Sequence, residues 1–312
     1  MPASVLAQMN ATQPTLQLSP QVLNPSVPTS PGTSLVAPSG FPPAPLSAPR
    51  APGPLADVPA GQVPLYTAAR FGPNLPVINN GLQWRIYADK PDQAGVFRLV
   101  KEDRSATPIF ALPPGGYVVH VGFGLASAVR AVQIRSDTVR EIFDIPAGGL
   151  TIKGQVGDVG IPTGQISFDI HKGSQFEPGD KRPLAQGVQS GDVVLVPEGT
   201  YYIVSNYGDG NAVVRSDIRV QTGRLTDVTV THRAAVITLK LVSEKGGEAL
   251  ANTAWSVLTP GGDVIKESIG AFPRVILAEG DYKAIARNEG KMFEREFKVI
   301  NGVDGEVEVL AR

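Results

Sequence analysis

Leu112-Pro113-Pro114-Gly115-Gly116-Tyr117 is the stretch on which the fold turns, because the chain repeats it twice. It returns 84 residues later as Val196-Pro197-Glu198-Gly199-Thr200-Tyr201, and again as Leu277-Ala278-Glu279-Gly280-Asp281-Tyr282. An aromatic-x-aliphatic triplet precedes each copy at a similar phase: Trp84-Arg85-Ile86, Phe168-Asp169-Ile170 and Trp255-Ser256-Val257. A fixed period of this size means one supersecondary unit copied along the chain. At such a corner glycine suits a tight turn with positive φ, and the tyrosine can bury its ring and return its hydroxyl to nearby backbone. Gly115, Tyr117, Gly199, Tyr201, Gly280 and Tyr282 are therefore the expected structural corners. Trp84, Phe168 and Trp255 are the rings expected to fill the gap between two sheets.

Outward from the corners the texture is that of half-buried strands. Ile166-Ser167-Phe168-Asp169-Ile170-His171, Ser216–Val220 and Glu296–Ile300 alternate apolar and polar, and Val236–Val242 is β-branched on alternate positions. No stretch shows a convincing helical period. Short strands separated by Gly, Pro, Asn and Asp predict an all-β chain of three tandem antiparallel β-sandwich modules, at 66–149, 150–235 and 236–312. Module one lacks an obvious first strand. Tyr66–Arg70 lies at the right distance before Trp84 but is weak, so this module is expected to be incomplete or to borrow an edge. The links are short, Pro146-Ala147-Gly148-Gly149 and almost nothing between Arg233 and Val236, which predicts a stiff rod or a packed arc.

Residues 1–65 differ from the rest. They hold fifteen prolines and two charged side chains, Arg50 and Asp57. Proline lacks the donor that a helix or central strand requires, and so little apolar surface does not offset ordering entropy. The expectation is a disordered, partly polyproline spacer. Met1–Ala7 resembles the tail of a secretory signal, with Val5 and Ala7 at the small-residue positions, although the charged and apolar regions are missing. Export to the periplasm or outside the cell is the expected localisation.

Composition narrows the function classes. A net charge of −1 gives no basic footprint for nucleic acid. With no cysteine, disulfides, thiolate chemistry and Cys-ligated zinc are excluded. No apolar run reaches the ~18–20 residues of a spanning helix. His120, His171 and His232 are scattered, which predicts surface or interface roles rather than a metal or a nucleophile–base pair. Gly208-Asp209-Gly210-Asn211, with Asp217 beyond, has the oxygen content of a calcium loop but not its alternate spacing or distal Glu; a hairpin turn fits better. Gly122-x-Gly124 precedes no helix and binds no phosphate by that signature. Glu294 and Glu296 belong to a solvated strand face with Arg295 opposite. No catalytic, cofactor or metal residue is expected. Among the aromatics, Tyr202 points opposite to Tyr201 and Tyr207. With Asn206, Asp209 and Asn211 it forms the one candidate binding strip, able to stack on a sugar or grip a partner.

The corner, with the opening Lys153-Gly154-Gln155-Val156 and Gly160-Ile161-Pro162 of module two, resembles the bacterial carboxypeptidase-regulatory-like family of transthyretin-like or immunoglobulin-like sandwiches. Residues 112–117 match that family's corner letter for letter and the other two match loosely; the likeness spans roughly residues 80–312. The resemblance implies a non-catalytic accessory or surface module and transfers no ligand. A related enzyme, the 5-hydroxyisourate hydrolase, ends in Tyr-Arg-Gly-Ser and relies on histidines, whereas this chain ends Val309-Leu310-Ala311-Arg312. The leading expectation is a non-catalytic exported structural or protein-binding protein, with a protein or cell-envelope polysaccharide as partner. The alternatives are a carbohydrate- or cell-wall-binding protein using module two, and an enzyme with an unrecognised inter-module site.

Overall fold

A computed structural model describes residues 58–93, 95–178 and 182–312, and the backbone of 17–22. The spacer and the signal remnant otherwise lie outside the described residues. Within them every regular element is a strand. β1 (Gln17–Val22) precedes module one, which comprises β2 (Val63–Arg70), β3 (Leu82–Pro91), β4 (Phe97–Asp103), β5 (Ile109–Leu112), β6 (Gly115–Phe123), β7 (Ala126–Ile134) and β8 (Val139–Asp144). Module two has β9 (Ala147–Val156), β10 (Val159–Gly160), β11 (Ile166–Lys172), β12 (Pro183–Gln189), β13 (Val193–Pro197), β14 (Gly199–Tyr207), β15 (Ala212–Val220) and β16 (Arg224–His232). Module three has β17 (Ala234–Val242), β18 (Ala254–Leu258), β19 (Val264–Ile269), β20 (Arg274–Ala278), β21 (Gly280–Asn288), β22 (Lys291–Val299) and β23 (Gly305–Leu310).

One topology is written three times. Each module has a four-stranded sheet, β4-β3-β6-β7, β12-β11-β14-β15 or β19-β18-β21-β22, and a second one built on β5-β2-β8, β13-β9-β16 or β20-β17-β23, which β1 and β10 widen to five strands in module two. The four-stranded sheets are antiparallel as expected. The second sheets are mixed: the closing strand runs parallel to the opening one, as in Leu65↔Val139, Thr226↔Leu150 and Leu239↔Val307. A chain that closes beside its own first strand after crossing to the other sheet arrives in the same direction, which adds one parallel pair to each otherwise antiparallel module.

Module one is complete. Its first strand begins at Val63, inside the stretch assigned to the spacer, and pairs on both sides. The burial of β2 alternates strictly, with Val63, Leu65, Thr67 and Ala69 inward. Tyr66 and Arg70 made it look weak because they are on the outer face; Tyr66 carries Arg140 over its ring and Arg70 pairs with Asp144 at 2.5 Å. Proline also proves compatible with strand near a strand's start and at the sheet margin. Pro64 lies in β2, and Pro20 lies in β1, the terminal strand beside β16.

The expected fillers are in place. Trp84 and Phe168 are fully buried and Trp255 is 2% exposed. The Trp84 ring meets Phe143 edge-on at 5.4 Å. Each buried indole N–H finds a carbonyl, Trp84 at Ser105 (3.1 Å) and Trp255 at Gly270 (3.0 Å), so neither ring leaves a donor stranded. Emptying either site would cost roughly 3–5 kcal/mol. The described strands cluster into two compact units, one holding β2 to β8 with Leu195–Pro197, the other holding Gly148–Val194 and Glu198–Arg312. The second unit holds the candidate site.

Candidate functional site

The site is built from a corner and a hairpin tip. At each corner the tyrosine ring folds back over the glycine two residues earlier: a Cβ on Gly115, Gly199 or Gly280 would lie 3.8, 3.7 or 3.6 Å from the ring of Tyr117, Tyr201 or Tyr282. These are ordinary contact distances, so a side chain at the corner would touch the ring without displacing it. Gly115 and Gly280 have φ of 158°, a positive φ that L side chains rarely adopt, whereas Gly199 is not among the positive-φ glycines. The Tyr117 hydroxyl donates to the Pro113 carbonyl (2.9 Å) and that of Tyr282 to the Ala278 carbonyl (2.8 Å), each four residues back. Burial raises the phenol pKa at Tyr117 and Tyr201.

Within the second unit the module-two hairpin tip is seated on the module-three corner. The tip is Gly208–Asn211, between the paired ends Tyr207 and Ala212 of β14 and β15. Gly208 needs its φ of 70°, and a Cβ there would lie 2.8 Å from Ile276. A Cβ on Gly210 would lie 2.5 Å from the Ile276 carbonyl oxygen. Both glycines thus serve a close approach that any side chain would prevent. Asn211 uses both ends of its amide across this junction: its Oδ1 accepts from the Ala278 N–H (3.0 Å) and its Nδ2 donates to the Tyr282 hydroxyl (2.8 Å). Because Tyr282 donates onward to Ala278, the three residues close a ring of hydrogen bonds. Ala278 stands where the other two corners have Pro113 and Pro197, and proline could not supply that N–H. Two ion pairs flank the ring, Asp209 with Lys266 at 2.5 Å and Arg233 with Glu279 at 2.6 Å, and the Glu279 N–H donates to the Arg233 carbonyl (2.9 Å).

Beneath the tip is a buried Ser–His pair, whose histidine the sequence assigned a surface or interface role. His232 ends β16 on its inward-facing register and is 1% exposed. Its Nε2 is 2.7 Å from the hydroxyl of Ser205, on the opposite sheet, and its other nitrogen serves the Ala212 carbonyl. That arrangement assigns the neutral tautomer, with Nδ1–H donating and Nε2 accepting from serine. The Tyr207 ring stands edge-on at 5.8 Å. Burial, only partly offset by the Ala212 bond, pushes the imidazole pKa down to about 4. With both members sealed from solvent and a carbonyl rather than a carboxylate behind the ring, the pair is a tie between two sheets, not a nucleophile and its base. His120 and His171 are half-buried. Burial, with the Arg85 charge second, lowers the His120 pKa.

The expected strip does not lie open. Tyr202 does face away from Tyr201, but it is 5% exposed, because His171 stacks flat on its ring at 4.4 Å. Its cross-strand neighbour Asp217 also holds the segment after β11, accepting from the hydroxyl of Ser174 and from the Gln175 N–H (3.2 Å). Asn206 is half-buried on the same outer face. Asp209 and Asn211, taken as strip residues, belong to the junction instead. Their signal was present in the sequence as Gly-x-Gly-Asn; what it needed was the Ala278 side. Glu294 and Glu296 are exposed on β22, as a solvated face requires. Among the described residues no group of three or more His, Asp or Glu is placed to hold a metal ion.

Residues 236–311, the third module, match the family model described as the Rhizobiales growth-associated tandem repeat domain. No curated protein matches the chain. Solved structures similar to it include the TIE protein of Bacillus anthracis, at 13% identity over 80% of this chain and 51% of that one, with a TM-score of 0.25. A streptococcal ancillary pilin is 12% identical over 80% of this chain and 99% of its own, TM-score 0.26. The minor pilin of Streptococcus agalactiae is 11% identical over 55% and 95%, TM-score 0.29. The chain spans about half the length of the Bacillus anthracis protein.

Proposed function

We propose that the chain is a non-catalytic structural and protein-binding protein of the periplasm or the extracellular space, in which modules two and three act as one stiff piece. The junction at Asn211 carries this reading. A side chain that gives both polar atoms to the next module, seated by two glycines whose lack of a Cβ permits the contact, fixes an orientation; a loose tether needs neither. The triplicated corner and the tandem-repeat match of the third module support the same reading. The partner would be a protein or a cell-envelope polysaccharide gripped by sheet faces held at a set angle.

The chain has no cysteine, so a Val159→Cys, Met292→Cys double variant takes exactly two spin labels, at positions 74% and 60% exposed. Pulsed dipolar spectroscopy on the full chain at pH 7.5 is expected to give one narrow distance distribution, broadened by Asn211→Ala. A broad distribution in the parent protein would remove the stiff-piece reading. Turnover of any substrate abolished by a single module substitution would remove the non-catalytic one.

A further inference from the structure

His232 lies at the root of the junction. Its three partners are Ser205 and Tyr207, at the end of β14, and Ala212, at the start of β15. Between Tyr207 and Ala212 lie only the four tip residues, so the ring fastens both stems of the loop that docks on module three. Asn211, which makes the docking bonds, is directly bonded to Ala212. We infer that this buried imidazole makes the module two–module three junction acid-sensitive, releasing the Gly208–Asn211 tip from the Ala278–Tyr282 corner when the ring takes a proton.

The chemistry follows from the tautomer. A protonated Nε2 can no longer accept from Ser205, whose hydroxyl must then find another acceptor in a sealed interior. The new charge also lies among apolar groups. Protonation is therefore relieved by the ring swinging to water, which requires the stems to part. The polar neighbours do not counter this. Tyr207 from β14 is a phenol held neutral by burial, its pKa raised further by Asp304 and lowered by Arg274. Asp304, in the turn before β23, is occupied in accepting from the Val236 N–H (2.8 Å). Arg233, next in the chain, is paired with Glu279, and Asp209 with Lys266. From β9, Val156 lies alongside His232 and brings no charge.

The size of the effect follows from linkage. A ring that titrates at 6.5 when open and about 4 when closed multiplies the opening equilibrium roughly 30-fold between pH 7.5 and pH 5. The inference rests on the reading of the junction as fixed at neutral pH, and one experiment separates them. Amide hydrogen exchange of the full chain, corrected for the intrinsic pH dependence, is followed from pH 7.5 to pH 5 at Ala278 and at residues 205–213. Protection at both places is expected to fall by about 30-fold in the parent protein. His232→Gln, which can still donate and accept, is expected to remove most of that fall. The distal part of the β21–β22 hairpin, residues 285–294, contains no histidine and acts as a control within the same molecule, which keeps the test valid if the variant fails to fold.

Unchanged protection at Ala278 down to pH 5 would overturn the inference, as would an equal fall in His232→Gln or in the β21–β22 control hairpin. An equal loss across β9 and β11 would overturn it too, because that is whole-module unfolding rather than release of the tip. Absence of protection at Ala278 already at pH 7.5 would instead sink the fixed junction itself.

Discussion

Asn211→Ala is the perturbation that separates a designed junction from two modules that happen to touch. It deletes two hydrogen bonds, of 2.8 and 3.0 Å, and leaves the Ala278 N–H without its acceptor at a partly buried position. With about 1 kcal/mol net for each bond, the junction is expected to lose about 2 kcal/mol, a factor of about 30 in its opening equilibrium. Amide exchange at Ala278 reads this directly, because in the parent protein that N–H is held by Asn211 alone among side chains. Asn211→Asp supplies the discriminating control. A carboxylate still accepts from Ala278, so that amide is expected to stay within about threefold of its parental rate, well short of the 30-fold of a lost bond. The Tyr282 end behaves differently. Its hydroxyl proton is already given to the Ala278 carbonyl, so the carboxylate meets only phenol lone pairs. The aspartate variant should therefore loosen at Tyr282 while remaining protected at Ala278. Exchange at Ala278 indifferent to Asn211→Ala, or equally fast in both variants, would refute an Asn211-held junction.

Four further outcomes follow from the same geometry. Tyr117→Phe loses one bond and should destabilise module one by about 1 kcal/mol, whereas Tyr282→Phe also strands the Asn211 donor and should cost about 2 kcal/mol, both read by urea denaturation. The folded pKa of His232 lies below its free value, so the stability it confers is fully present above pH 6.5 and is lost as pH falls; module two should weaken by roughly 3 kcal/mol between pH 6.5 and 4 and then level off, with a pH-independent midpoint in module two refuting this. Raising salt from 0.1 to 1 M should change the junction by less than about 1 kcal/mol, because Asp209 is 74% exposed and its pair with Lys266 is a surface ion pair; a larger effect in the spin-label distances would shift the weight from Asn211 to charge. Ala278→Pro should leave module three's own melting within about 1 kcal/mol, since proline already stands at the two equivalent corners, yet broaden the inter-module distances by deleting the N–H that Asn211 needs.

The module type was legible because a sandwich strand advertises its inner face. Trp84, Phe168 and Trp255 recur at one phase before the corner, and all three are interior. What was hidden was anything set by the partner strand. Tyr66–Arg70 looked weak because its outer-face residues are polar or aromatic, and only the pairing with β5 and β8 shows the inner row of Val63, Leu65, Thr67 and Ala69 to be apolar enough. The direction of the closing strand was equally invisible, since period-2 alternation is the same in parallel and antiparallel pairs. Tyr202 shows the third kind of loss. Alternation placed it correctly on the outer face, but exposure depends on what folds over that face, here His171 and the segment held by Asp217, whose sequence carries no periodic mark.

His232 was left between a surface and an interface role because a histidine at a strand end, between a threonine and an arginine, has nothing in its local sequence to say that it faces inward. Its register supplies the answer: Thr226, Val228, Val230 and His232 share one parity, and the two valines bury it. The junction was half-written in the same way. Gly-Asp-Gly-Asn satisfies a hairpin on its own terms, so nothing in the tip asks for a second explanation. The corner holds the unmatched clue, an alanine where the other two copies have proline. In a repeat, a departure from a residue that the local backbone favours points to a demand from outside the unit, and the demand here is a backbone donor. The departures from a repeat motif therefore locate contacts between modules, as surely as its agreements locate their interiors.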